Sequence, residues 1–175
     1  MKTRTAYIAV LSLVLGPTPL VGQAFLGAEL AYANDLDLGV GLRVDLPVEA
    51  IHERFSVTGS FLYFFPGESS DEIPGVEADV EYWEFNANGR FRIANDEVSL
   101  TPYVGAGLNV GRLTGSVDIS GVGGASNSST EAGLNLLGGL EFGRGPTRPF
   151  VEGRFEVGGG EQFVVSGGIS IPIGN

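Results

Sequence analysis

The sequence has 175 residues, enough for one domain and short for two. Its 21 carboxylates against 10 Lys and Arg give a formal net charge of −11, which argues against a nucleic-acid surface, and the absence of cysteine excludes a disulfide framework or a thiolate metal site. Glycine is abundant at 28 residues, yet 43% of the chain is hydrophobic, so it is not a disordered glycine-rich linker.

The N-terminal segment has a composition of its own. Lys2 and Arg4 form a short basic start, residues 6–15 are an apolar run, and Gly22-Gln23-Ala24 is a small-x-small ending. That order is the signature of a secretory signal peptide, with cleavage expected after Ala24. The apolar run is too short to span a bilayer as a helix, and Gly16-Pro17 and Pro19 directly after it break a longer N-terminal helix. The remaining 151 residues keep 8 arginines and all 21 carboxylates, a net charge of −13.

Beyond residue 24 the apolar residues recur with period two, the mark of a strand with two unlike faces. In residues 36–46, Leu36, Leu38, Val40, Leu42, Val44 and Leu46 alternate with Asp37, Gly39, Gly41, Arg43 and Asp45. Eleven alternating residues exceed the usual strand of about five or six, and match the 9–11 that cross a bilayer when tilted. Residues 81–93 set Trp83, Phe85, Ala87, Gly89, Phe91 and Ile93 against Tyr82, Glu84, Asn86, Asn88, Arg90 and Arg92. Residues 98–112, 149–157 and 162–173 repeat the pattern, and weaker stretches lie at 24–33, 55–65 and 132–143. The expectation is an all-β fold: an eight-stranded antiparallel up-and-down transmembrane β-barrel over residues 25–175. Short links are then expected at 47–54, 95–97 and 144–148 on the periplasmic side. The opposite side takes 34–35, 66–79, 114–131 and 158–161, so both long links fall outside, as in outer-membrane barrels.

A soluble barrel also alternates, with its apolar face inward. Three features favour the inverse. The polar face mixes opposite charges, it is rich in small residues, and aromatics (Tyr32, Phe55, Phe65, Trp83, Phe142, Phe163) stand near the ends of the apolar faces. On these residues the chain resembles a known family. Thr101-Pro-Tyr-Val-Gly-Ala-Gly-Leu-Asn-Val-Gly-Arg112 resembles the fifth strand of the OmpA-like outer-membrane β-barrel superfamily. Residues 132–142 and 149–155 resemble its sixth and seventh strands. The resemblance implies a bacterial outer-membrane location, with membrane lipid and the barrel-assembly machinery as partners. Members of the family often end in an aromatic residue, whereas this sequence ends Ile171-Pro-Ile-Gly-Asn175, and it shows no peptidoglycan-binding domain.

Tests for chemistry point away from an enzyme or a cofactor. The one histidine, His52, falls in a predicted turn beside Glu49, Glu53 and Arg54, and reads as a solvated turn residue. An outer-membrane lipid hydrolase needs a Ser and a His on the outer half of the wall, and no His is placed there. Glu68, Asp71, Glu72, Glu77 and Asp79 crowd one outer link without EF-hand spacing, and read as a solvated acidic loop. Gly105, Gly107 and Gly111 lack the spacing of a phosphate loop. The candidate site is instead a lumen charge network of Glu29, Arg43, Asp45, Glu84, Arg90, Arg92, Glu141, Glu152, Arg154 and Glu156, because buried charges need partners. The expected function is structural or surface-interaction, carried by the outer loops over a closed lumen, with a narrow passive pore for small solutes as the alternative.

Overall fold

The computed structural model describes residues 22–66, 76–93, 99–119, 123–143, 145–158 and 161–174. Its strands are β1 (Ala24–Ala33), β2 (Asp37–Pro47), β3 (Phe55–Phe65), β4 (Val76–Arg92), β5 (Leu100–Ile119), β6 (Gly123–Phe142), β7 (Arg148–Val157) and β8 (Gln162–Ile173). Each pairs antiparallel with its neighbours in sequence, and β8 pairs with β1, so the sheet closes into a barrel without a crossover. The end carrying the β2–β3, β4–β5 and β6–β7 links is called the lower end below, and the other the upper end.

Alternation dictates what goes where. In β1, Phe25, Gly27, Glu29, Ala31 and Ala33 face the lumen, while Leu26, Ala28, Leu30 and Tyr32 face outward. The same rule round the barrel leaves thirty large apolar side chains exposed among the described residues. Only ten hydrophobic side chains are buried there, against seventeen polar or charged ones. A water-soluble protein has the opposite bias. Eight strands leave a narrow interior, so small inward residues must stand opposite large ones. At Gly41 a β-carbon would lie 2.6 Å from both a methyl of Leu62 and the carbonyl oxygen of Phe61.

The links after β1 and after β2 are hydrogen-bonded turns, the first closed by Leu36 N donating to Ala33 O. Residues 48–54 are longer than a tight hairpin, yet Val48 O accepts from the amides of Ile51 and His52, and Val48 N donates to Phe55 O. Between β1 and β2, Asp37 has φ 60°, a left-handed conformation that Asp tolerates better than most residues.

Three expectations need correction. The strands at 81–93, 98–112 and 132–143 are too short: β4 begins at Val76, β5 continues to Ile119 and β6 begins at Gly123. Most of the expected link 114–131 is therefore paired strand, in unbroken register from Thr114↔Ser128 to Ile119↔Gly123. This part rises past the apolar belt, so neither face needs to be apolar and the alternation that reveals a strand fades. Leu36 is also misplaced. It precedes β2, is not held by the pleat, and folds over the lumen mouth, where it is buried with Ala31, Ala33, Leu62, Phe64 and Val164. The third concerns Arg92 and is given with the site. The expected signal peptide lies almost wholly outside the described residues, as do Glu68, Asp71 and Glu72.

Candidate functional site

Three buried arginines, each 2% exposed, are stacked along the lumen. Lowest is Arg90 of β4. Its Nη1 reaches Asp45 Oδ1 at 2.6 Å and donates to Thr58 Oγ1 at 3.1 Å, its Nη2 pairs with Glu141, and its guanidinium lies 3.9 Å over the Tyr103 ring. Above it, Arg43 of β2 spans the lumen to Glu152 of β7 at 2.8 Å and approaches Glu29 at 3.5 Å and Asp45 at 3.6 Å. The ring of Phe150 packs 4.2 Å from that guanidinium, and Tyr103 donates to Glu152 Oε2 at 2.9 Å. Highest is Arg154 of β7, which pairs with Glu84 of β4 at 2.7 Å and Glu156 at 2.6 Å, with Glu152 at 3.9 Å. An amide cluster completes this layer. Asn109 donates to Glu156, Asn86 to Glu84, and Asn135 to Asn86 and Asn88.

Nine of the ten residues singled out by charge therefore meet in one connected system. Arg92 does not join it: it sits half-buried at the lower mouth, with Nη2 donating to the carbonyl of Glu53 at 3.1 Å. It is one inward position beyond Arg90, at the end of β4, where the turn carbonyls are closer than the lumen acids. Charge alone missed Tyr103, Phe150 and the four asparagines. Their strand parity placed them inside, but an uncharged side chain gives no sign that it will stack on a guanidinium or bridge two acids. His52 is exposed; its Nδ1 accepts from Arg54 N at 3.0 Å and its ring lies 5.2 Å from that of Phe91. Among the described residues no group of three His, Asp or Glu is placed to hold a metal.

The fold of the chain is shared with solved outer-membrane proteins. The chain is similar to Neisserial surface protein A, at 15% identity over 87% of this chain and 99% of that one, with a TM-score of 0.63. It is similar to Ail, the attachment invasion locus protein of Yersinia pestis, at 17% identity, 86% and 95% coverage and a TM-score of 0.51. A major outer membrane protein of Thermus thermophilus matches at 9% identity, 87% and 100% coverage and a TM-score of 0.65. The fold is that of the small, OmpA-like outer-membrane barrels. At these identities the likeness is one of fold, and no family model and no curated protein sequence matches the chain.

The upper end of this outer-membrane-type barrel differs from the rest of its lumen. Leu62, Phe64, Val164 and Leu36 make an apolar cluster against which Tyr82 packs, its ring 5.8 Å from that of Phe64. Beside the cluster opens a cavity of about 290 Å³, reached by Glu131 and Glu156 and by the side chains of Tyr82, Asn109 and Gln162. Above it β6 pairs only with β5, since its pairing with β7 begins at Leu134↔Val157.

Proposed function

We propose that the chain spans a bacterial outer membrane as a plugged, non-enzymatic barrel, and that its function is exercised at the cell surface by the upper end. The inside-out distribution of side chains carries this reading. Leu108, Leu136, Leu42 and Leu30 are 59–67% exposed on the outer wall, whereas Arg43, Arg90 and Arg154 are sealed inside. At about 25 cal/mol per Å², leaving such a belt in water forfeits tens of kcal/mol, and a bilayer removes that cost.

The width of the belt fits a membrane. Trp83 and Phe91 face outward on β4, eight residues apart, roughly 26 Å along the strand and about 20 Å along the normal at a tilt of about 40°. With their side chains they bracket an apolar band of about 25 Å, and Tyr32, Phe65 and Phe163 are exposed near Trp83's end. The expected export signal supports the same location. Membrane lipid and the barrel-assembly machinery are the partners this reading implies.

For the plug, the support is that Arg43, Arg90 and Arg154, each 2% exposed, reach into the lumen to paired acids. For a surface role, the support is the ribbon of β4, β5 and β6 that rises above the belt while β7 ends at Val157. The similar protein Ail is named for attachment and invasion.

Two measurements test the reading. The extracted protein should migrate faster on gels before boiling than after, as a closed detergent-resistant barrel does; recovery in the soluble fraction without detergent would overturn the membrane assignment. In planar bilayers the purified protein should be silent. Sustained conductance would replace the plug with the narrow-pore reading.

A further inference from the structure

We infer that the cavity at the upper end is a binding site for a small hydroxylated primary amine of amino-sugar size. The inference does not depend on the lumen being closed or on what the ribbon contacts.

Its size comes first. At about 290 Å³ the cavity holds a ring-sized molecule rather than a lone ion, at the lower limit of ordinary small-ligand sites. Its charge comes second. Glu131 and Glu156 are the carboxylates of the lining, and among the described residues that line it there is no arginine, lysine or histidine. Behind that wall Arg154 is shared by Glu84 and Glu156, while Glu131 at the exposed mouth enters none of the described ion pairs. A positively charged ligand supplies the partner that Glu131 lacks.

The rest of the lining distinguishes an organic cation from a metal. Two carboxylates, one of them already accepting from Asn109 and Arg154, make a poor oxygen cage for a divalent ion. Leu36, Leu113 and Ala132 supply apolar wall, which suits the carbon face of a ring. Hydrogen-bonding groups surround it: Tyr82, Asn109, Ser129 and Gln162. Glu156 is buried and both its oxygens already accept, from Asn109 and Arg154, so Glu131 at the exposed mouth is the carboxylate left to meet an ammonium. The ammonium is thus assigned to Glu131, and ligand hydroxyls to the polar groups of the wall.

The test is a titration of the whole barrel, in detergent micelles, with glucosamine as probe, followed by calorimetry or by amide shifts of residues 129–133. Saturable binding is expected, with glucose and N-acetylglucosamine weaker by about tenfold or more, since they lack the charge that strengthens the hydrogen bonds. Glu131→Gln, at the exposed mouth, leaves the plug intact and should weaken glucosamine by a similar factor. Equal binding of glucose and glucosamine would overturn the assignment of an amine. So would unchanged affinity in Glu131→Gln, the absence of saturation at millimolar glucosamine, or displacement of glucosamine by calcium at equal concentration.

Discussion

Arg43 of β2 and Glu152 of β7 meet across the lumen at 2.8 Å, both about 2% exposed, with β1 and β8 between their strands. The pair ties opposite walls of the barrel and shares its charge with Glu29 and Asp45 on one side and Tyr103 on the other. Removing one member strands the others. Arg43→Ala should cost about 3–5 kcal/mol, as loss of one partner of a buried pair does. The double change Arg43→Met with Glu152→Gln should cost less than the sum of the two single changes, by about 0.5–3 kcal/mol. Urea unfolding in micelles, followed by tryptophan fluorescence of Trp83, measures both. Additive losses would mean that the two walls are not coupled through this pair.

The outer wall gives a prediction that depends on its solvent. Leu108 is 60% exposed and stands midway along the belt, paired with Ala87 and Leu134. On a water-facing surface Leu108→Arg would change stability by no more than about 0.5 kcal/mol. At a bilayer midplane it should cost about 2–4 kcal/mol. Refolding into lipid vesicles, compared for Leu108→Arg and Thr114→Arg, separates the cases. Thr114 lies above the belt, so its change should be nearly neutral.

What was legible in the sequence followed from the two unlike faces of each strand. Leu38, Val40 and Leu42 alternate with Gly39, Gly41 and Arg43 because the outer face is apolar and exposed and the inner one lines a polar lumen. Residues 114–119 and 123–131 carry no such alternation, and they read as a loop although they are paired strand. The charged half of the site was readable for a related reason: Arg90 or Glu84 on a lumen face must find an opposite charge nearby. Which partner each takes was not readable. Arg154 could be set near Glu29 by height, yet the latter turns to Arg43, because rotamers and cross-lumen reach, not strand order, select partners. The upper cavity gave no signal at all. Its lining comes from five strands and a turn, and its shape depends on β7 stopping at Val157 while β6 continues.

The β5–β6 ribbon should be separable from the barrel. Above Gly133, β6 has β5 as its only described partner, and the pairs from Thr114↔Ser128 upward include none of the residues of the arginine layers. Replacing residues 115–127 with an Asn-Gly turn keeps the Thr114↔Ser128 register and gives the two-residue hairpin that strand twist favours. Heat-modifiable mobility and the urea midpoint should stay within error of the parent. Glucosamine affinity should persist as well, because Ser129 and Glu131 remain. A collapsed midpoint would show instead that the ribbon helps to fold the wall below it.

Gly41 sets the close packing of the upper lumen. It faces inward on β2 opposite Leu62 of β3, and a β-carbon there would also lie 3.2 Å from Glu29 Cγ. The Phe61 carbonyl is backbone and cannot yield, while Leu62 is fully buried against Phe64 and Val164. Gly41→Val should therefore overpack the layer at a cost of about 1–3 kcal/mol, and it should push Glu29 away from Arg43. Gly115 offers a control, since a β-carbon there meets nothing within 4 Å. Gly115→Val should leave stability unchanged or raise it slightly, because the substitution favours strand. Urea midpoints for the two variants give the comparison. An unchanged midpoint in Gly41→Val would mean that the lumen there has room for a side chain, and the close-packed plug proposed from Arg43 upward would have to be given up.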